Sequence, residues 1–477
     1  MAELLSVASA ELNLDIMSAD AAGEDEFLPG TLRLVREGNL VLNPMPTQSP
    51  NDPLRWSWQR KYYHATLVCI IAGLTAATSN DAGSAATAMS DELGITYDSQ
   101  NTGAGILFIA IGVMAYIISP SSWLYGRRIS YIVCLLSGLA GSIWFARVRY
   151  THDAIWNQLF VGASEACAEA TIQLSLSDLF YEHQLGSAIG VYVLATSVGT
   201  FLGPLIAGYI ADGSMGWRWT GWWGAIISGG TILVCLFSLE ETIFERPSAD
   251  VILAAETAAD CSQANGHNKG KDLEKHAVPF VEMGMGTTVE QPKTYWQRIA
   301  IITPASNIKG TGFNQYMQRL LHTFRLFSFP SIIFSGLQWG AQDCWLSFYL
   351  TLEEDYWVDA PWNYSDAAVS LMNVPCIIGA FIGCVYGGYC SDVFVIWMAK
   401  RSNGVREPEQ RLWFLIPCAC VSAVGMWLFG IGTARGWSWP APYVGLGLIG
   451  FGWVRPNHVL TKCLMLTLFR AVWVTYP

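Results

Sequence analysis

Long apolar segments recur along the chain and are separated by polar connections. Ten of them come close to or exceed the roughly 20 residues that a helix needs to cross a bilayer. We call them spans 1 to 10, and they cover residues 62–82, 102–119, 129–146, 154–177, 187–211, 219–239, 326–350, 367–390, 412–433 and 437–454. This pattern predicts an all-α polytopic membrane protein.

The connections between spans alternate in charge. Arg60 and Lys61 precede span 1, and Arg127 and Arg128 lie between spans 2 and 3, whereas the connections after spans 1 and 7 are acidic. Because Lys and Arg favour cytoplasmic loops, we expect a cytoplasmic N-terminus. The basic stretch that begins at Arg147 falls on the opposite side and is the one exception.

The spans form two groups around a long polar stretch. We predict a cytoplasmic tail over residues 1–60, a six-helix half over 61–239, a cytoplasmic central loop over 240–325, a second half of four spans over 326–454 and an atypical tail over 455–477. Two halves joined in this way are the layout of transporters built from repeats.

Two parts of the central loop differ in composition. From Ala249 to Pro292 the chain has few aromatic residues, which favours disorder. Between about 313 and 325, apolar side chains such as Phe313 and Leu320 fall on one helical face and polar ones on the other. We interpret this stretch as an amphipathic helix on the inner membrane surface, with a plain loop as the alternative.

Composition narrows the class of function. Charged residues make up 14% of the chain and the mean hydropathy is +0.32, whereas soluble domains carry about 25% charge. The net charge of −11 argues against a nucleic-acid partner. The twelve cysteines lack the spacing of a metal site, and no phosphate-binding loop of an ATP-hydrolysing protein occurs. We therefore expect no enzyme, no cofactor and no metal, and an ion gradient as the source of energy.

Span 4 carries a stripe of polar side chains. Gln158, Glu165, Glu169 and Gln173 follow one another at steps of seven, four and four, which places them on one helical face. A carboxylate in the bilayer interior costs several kcal/mol unless it pairs, binds a proton or faces water. The stripe therefore predicts a proton or substrate pathway, and a structural hydrogen-bond seam between helices is the alternative.

Two further acids and several aromatic residues are candidates for the same pathway. Asp81 and Asp343 lie late in spans 1 and 7, which are equivalent positions in the two halves, so symmetry predicts one acid near each outer mouth. Either could instead cap a helix end. Asp178 falls on another face of span 4 and is predicted at the cytoplasmic gate. Trp339 and Trp345 could line a cavity for a flat apolar or cationic substrate.

Span 5 is built for close helix contact. Gly199 and Gly203 leave one helical face without side chains, and Gly208 follows on the other side of Pro204. Pro204 removes a backbone hydrogen bond and is expected to let the helix bend. The order Gly-x-x-x-Gly-Pro-x-x-x-Gly resembles the fifth-span motif of the drug/proton antiporters in the major facilitator superfamily.

The connection between spans 8 and 9 extends this resemblance. Tyr386-Gly-Gly-Tyr-Cys-Ser-Asp392 and the basic stretch after it look like the matching loop of a fungal branch of the twelve-span drug/proton antiporters, as does Glu240-Glu-Thr-Ile-Phe-Glu-Arg246 after span 6. The resemblance covers residues 27 to about 453. It implies a major facilitator fold with two six-helix halves, of which about ten spans of an expected twelve are present and the second half is incomplete.

The same resemblance assigns gating residues. In the second half Gly388, Asp392 and Arg401 suit a charge latch that holds the cytoplasmic side shut. In the first half Tyr125, Gly126, Arg127 and Arg128 keep the end of the corresponding motif, but Ser119 and Trp123 replace its glycine and aspartate. We expect that latch to use other partners. Span 4 also lacks the arginine with which it begins in many relatives, so a proton mechanism that depends on it does not apply.

Together these features predict a monomeric, multi-pass protein of the plasma membrane that exports small organic compounds in exchange for protons. Its partners are then the lipid bilayer, a small organic substrate and protons. Uptake of a cation or nutrient by proton symport is one alternative, and a membrane protein that does not transport is another.

The family-like pattern ends at Trp453, midway along span 10. Arg455, Pro456, His458 and Lys462 follow where apolar residues should continue. We expect that the chain is truncated here by a shifted reading frame or a retained intron. A chain without the last two spans would lack a wall of the interface between the halves, and its transport should fail.

Overall fold

The computed structural model describes residues 32–245 and 291–453, apart from short gaps at 34, 37–38, 41–43, 45, 48, 359, 361, 402–404, 407–412 and 438. Most of the stretch predicted to be disordered and the whole 455–477 tail lie outside the described residues.

Six helices form the first half, and each covers a predicted span. Their bounds are Trp58–Asn80 for span 1, Tyr97–Leu124 for span 2, Arg127–Ala146 for span 3, Thr151–Cys167 with a π turn at Ala168–Ile172 and Gln173–Leu179 for span 4, Glu182–Asp212 for span 5 and Arg218–Ser238 for span 6. Short helices at Gly83–Ala85 and Ala86–Leu93 join spans 1 and 2, and a single turn at Pro53–Arg55 precedes span 1.

The second half follows a short helix at Tyr295–Arg298. Its helices are Pro330–Tyr356 for span 7, Asp366–Ser370, Asn373–Val385, a π turn at Tyr386–Cys390 and Ser391–Arg401 for span 8, Leu415–Ala434 for span 9 and residues 441–453 for span 10. The strands that the structure describes are two residues long and antiparallel: Leu32–Arg33 pairs with Val405–Arg406, and Val35–Arg36 with Asn39–Leu40.

By length and composition, seven of the described helices could cross a membrane, or eight if a bent pair counts as one span. The bent pair joins the helix Phe313–Thr323 and the following 3-10 turn to span 7 at an angle of 89°. This bend explains why span 7 begins at Pro330 and not at residue 326. Spans 4 and 10 fall outside that count, and span 10 has only 13 described residues.

Backbone contact between spans 1 and 5 holds the first half together. A Cβ atom added at Gly199 would lie 2.0 Å from the carbonyl oxygen of Gly73, and one at Gly203 would lie 2.4 Å from that of Ala77. Such distances leave no room for a side chain. The helix assignment runs unbroken through Pro204, so the predicted bend there stays a prediction.

The same packing recurs in the two halves. Gly162 of span 4 meets the backbone of Leu107 in span 2, and Gly450 of span 10 meets the backbone of Cys376 in span 8. Spans 7 to 10 thus repeat the arrangement of spans 1 to 4. The halves contact each other where span 5 packs along span 8.

Replacing Gly203 by leucine tests the backbone contact. Gly203→Leu should force span 5 away from Ala77 and lower the thermal unfolding midpoint of the detergent-solubilised protein by several degrees. Gly112→Leu in span 2 is the matched control, because nothing lies within 4 Å of a Cβ atom there. Equal unfolding midpoints for the two variants would contradict the tight contact.

Candidate functional site

Three carboxyl groups meet in the middle of the helix bundle, and we call Glu165, Glu169 and Asp343 the central acidic cluster. Glu165 and Glu169 lie on span 4 and are half-buried. Asp343 of span 7 is near enough to both glutamates for their charges to interact. The cluster therefore joins one acidic side chain of the second half to two of the first.

Hydrogen bonds fix the position of two of these carboxyl groups, those of Asp343 and Glu165. Nε1 of Trp453 in span 10 donates to Oδ1 of Asp343 over 3.2 Å, and Trp339 hydrogen-bonds to the same carboxylate from one turn away. On the other side, Glu165 hydrogen-bonds with Ser79 of span 1. Each half thus supplies its own polar partner to its own acid.

The predicted equivalence of Asp81 and Asp343 was wrong in depth. Asp343 lies 13 residues after Pro330, about 20 Å along a helix of about 40 Å, and so at mid-span. Asp81 directly follows the last residue of span 1, about 35 Å from its start. The error arose because span 7 begins later and ends later than its apolar run. Judged by its contact with span 10, Asp343 corresponds to Ser79 and not to Asp81.

The polar stripe of span 4 divides into two parts. Gln173 hydrogen-bonds with Tyr192 of span 5, whose hydroxyl also donates to the carbonyl of Ala168 over 3.2 Å, so this end adjoins the cluster. Gln158 is buried and packs against Gly103 of span 2, about 10 Å along the axis from Glu165. For Gln158, the alternative interpretation as part of a structural seam between helices therefore fits better than a place in the pathway. The π turn at Ala168–Ile172 contains Glu169, and such turns are frequent at functional sites.

Sequence reasoning missed Ser79, Tyr192 and Trp453, because single polar or aromatic residues in apolar spans are common. It named Trp345 beside Trp339, but Trp345 is 51% exposed and contacts Phe348. The one sequence signal that distinguishes Trp339 from Trp345 is that Trp339 comes four residues before Asp343, so the two side chains share a helical face.

A second polar site lies where the ends of spans 2, 3, 4 and 6 adjoin the central loop, and we call it the latch. The Glu241 carboxylate accepts hydrogen bonds from the backbone N–H groups of Arg127 and Arg128, at 3.0 and 3.1 Å. These groups begin the helix of span 3, where unpaired donors and the helix dipole attract an anion. Gly126 makes the approach possible, because its φ is +104° and an added Cβ atom would lie 2.5 Å from Glu241 Oε2.

The side chains of the two arginines are almost fully buried in the latch. Nε of Arg127 lies 3.4 Å from Asp178 Oδ2, and its guanidinium stacks over the ring of Trp123 at 4.4 Å. Nη2 of Arg128 donates to the carbonyl oxygen of Cys235 at the end of span 6 over 3.1 Å. Trp123 thus faces Arg127 from the position that corresponds to the aspartate of the motif that this loop resembles, and Asp178 and Glu241 supply the negative charge.

The end of the central loop is tied to this site. The Tyr125 hydroxyl donates to the carbonyl of Thr311 over 2.9 Å, and the N–H of Thr303 donates to the carbonyl of Tyr125 over the same distance. The helix that follows contacts span 2, where the Tyr316 hydroxyl donates to the carbonyl of Ile117. Its position on a membrane surface stays a prediction.

In the second half, Asp392 makes a contact across the two halves. Its Oδ2 atom accepts a hydrogen bond from the Ser187 hydroxyl of span 5 over 3.2 Å. Gly388 is buried in the π turn just before Asp392, and the Arg401 guanidinium stacks over Trp397 at 4.4 Å. Asp392 therefore contacts span 5, and Arg401 stacks on a residue of its own helix. In the part of the chain that the structure describes, no group of three His, Cys, Asp or Glu side chains is arranged to hold a metal ion.

Known proteins resemble this chain in sequence and in fold. The family model of the Major Facilitator Superfamily matches residues 67–462. An uncharacterized MFS-type transporter of Schizosaccharomyces pombe is 50% identical over 476 residues, which cover 93% of this chain and 82% of the relative. Protein HOL1 of Saccharomyces cerevisiae is 44% identical over 495 residues, which cover 92% of this chain and 84% of the relative.

Among solved structures, the proton:xylose symporter XylE from E. coli superimposes with a TM-score of 0.51 at 11% identity, over 86% of this chain and 82% of that chain. At this identity the likeness concerns the fold alone.

Neutralising Glu241 tests the latch. Glu241→Gln removes the charge that faces Arg128 and accepts hydrogen bonds from the four backbone N–H groups of Arg127, Arg128, Thr242 and Ile243, and it should lower the free energy of unfolding by about 1–2 kcal/mol. Glu245→Gln is the control, since Glu245 accepts from the Ser306 backbone in an exposed position. The stability of both variants is measured by thermal unfolding in detergent. An equal loss of stability in Glu245→Gln and Glu241→Gln would contradict a special role of Glu241.

Proposed function

Because the chain belongs to the Major Facilitator Superfamily, we propose that it is a proton-coupled transporter that exports small organic compounds by alternating access. The observation that carries the proposal is the central acidic cluster, at mid-membrane and between the two halves. We also propose that a single chain is the working unit, and we place it in the plasma membrane with the N-terminus in the cytoplasm.

The cluster supplies a reason for proton binding. Three carboxyl groups in a region of low dielectric repel one another when all are ionised, and the bilayer makes each charge costly. A proton entering from outside relieves both effects. Release of that proton on the cytoplasmic side leaves a negatively charged site that is ready for another ligand.

The surroundings of the cluster favour a substrate with a positive charge and an apolar or aromatic part. Carboxylates attract a protonated amine, and the rings of Trp339, Trp453 and Tyr192 lie around them. Proton and substrate would then compete for the same carboxyl groups, which is the basis of exchange. The resemblance of span 5 to the antiporter motif supports the outward direction.

The two cytoplasmic contacts fit a gate for this cycle. The latch of the first half ties spans 3, 4 and 6 into one rigid unit around Glu241. The hydrogen bond from Ser187 to Asp392 links that half to span 8 of the other and has to break when the cytoplasmic side opens. This movement opens one weak contact between the halves and keeps the tight contacts within each half. It therefore matches a rocking of rigid halves.

The function is tested with purified full-length protein in liposomes that carry an imposed proton gradient. A fluorescent organic cation should move against its own gradient when protons flow the other way, and collapse of the proton gradient should stop it. Movement of the cation with the protons would indicate symport, and no gradient-dependent movement over a panel of organic cations and neutral compounds would refute the proposal.

Single neutral replacements test the role of the glutamates. Glu165→Gln and Glu169→Gln should each lower gradient-driven transport at least tenfold, because an amide cannot take up and release the proton. The amount of folded protein should stay near that of the wild type. Asp91→Asn is the control, since Asp91 is an exposed acid between spans 1 and 2. Full gradient-driven transport in both glutamine variants would exclude these acids from the proton path.

A further inference from the structure

Trp453 contacts both halves of the molecule. Its indole Nε1 donates to Asp343 over 3.2 Å, and its ring meets Phe201 of span 5 edge to face, with centroids 5.9 Å apart and planes at 72°. The side chain is 7% exposed. One rigid ring system thus joins the central acidic cluster to a helix of the first half.

Phe201 is packed so tightly that it can move only together with its helix. It is fully buried and lies between Gly199 and Gly203, whose backbones contact span 1 without any intervening side chain. A push on Phe201 therefore acts on spans 1 and 5 together. The chain of contact runs from Asp343 through Trp453 and Phe201 to the close-packed pair of helices.

The repeat gives this tryptophan a counterpart. Trp453 comes three residues after Gly450, which meets the backbone of span 8, and Glu165 comes three residues after Gly162, which meets the backbone of span 2. Glu165 bonds to Ser79 of span 1 as Trp453 bonds to Asp343 of span 7. In the second half the acid thus lies on span 7, and the position on span 10 that corresponds to Glu165 holds an aromatic donor that reaches the first half.

We infer that Trp453 is a positioning residue that transmits the charge state of Asp343 to span 5 and so couples ligand binding to the movement of the halves. When Asp343 is ionised, the indole bond is charge-assisted and holds the ring against Phe201. When a proton or a cation neutralises Asp343, that bond weakens and the ring is released from span 5. The inference rests on the proposed proton-coupled function.

Two variants separate the two contacts of Trp453. Trp453→Phe keeps an aromatic ring but removes the N–H group, so the ionised form of Asp343 loses a donor; the pH midpoint of transport should move about one unit to the alkaline side. The groups facing Asp343 that the structure describes are Glu165 and Glu169, with Tyr192 beyond them, and all stay in place.

Phe201→Leu keeps the indole bond and removes the ring contact, so it should slow transport about three- to tenfold with the pH midpoint unchanged. Trp345→Phe in span 7 is the control and should change neither quantity. The measurements are transport rate against pH in liposomes and the thermal unfolding midpoint of each variant.

The outcomes separate this inference from the function on which it rests. A wild-type chain without proton-dependent transport would overturn the proposed function. A wild type with such transport and a Trp453→Phe variant with the same pH midpoint would overturn the inference alone. If Trp453→Phe lowers only the amount of folded protein and the remaining protein has the wild-type pH profile, Trp453 is a packing residue and the inference is equally overturned.

Discussion

The electrostatic cost of carboxyl groups in the bilayer interior is the constraint on which the rest of this structure depends. A single ionised acid at mid-membrane costs several kcal/mol, and this chain brings together three. That cost is lowered by hydrogen-bond partners from three different helices: Ser79 of span 1, Trp339 of span 7 and Trp453 of span 10. The bundle must therefore hold these helices in fixed register around the cluster.

Fixed register comes from helices that touch by their backbones. The glycines of spans 4, 5 and 10 remove the side chains that would otherwise hold neighbouring helices apart, and the resulting contacts are too close to slide. At the latch the same rigidity is obtained by charge, because the Glu241 carboxylate accepts hydrogen bonds from the N–H groups that begin span 3. Each half is consequently stiff, and the contacts between halves are the ones left able to change.

The sequence predicted the architecture well because bilayer crossing imposes a strong and local rule on composition. All ten spans are mainly helical where described, and the family match confirms the major facilitator fold. What it could not predict depends on contacts between distant helices. Asp343 appeared equivalent to Asp81 until the start of span 7 was known. Glu241 stood only as one residue of the motif after span 6, and Trp453 only as the residue at which the family-like pattern ends.

The division of the cluster between the halves has a consequence for leakage. Two acids of the cluster lie on one half and the third lies on the other. When all three are ionised and no ligand is bound, they repel one another across the interface between the halves, which must close during each cycle. Only a carrier whose charges are neutralised by a bound ligand can bring the halves together at low cost. Under the proposed exchange, a transporter without bound ligand would then not change between its inward- and outward-facing states. It would therefore not dissipate the proton gradient.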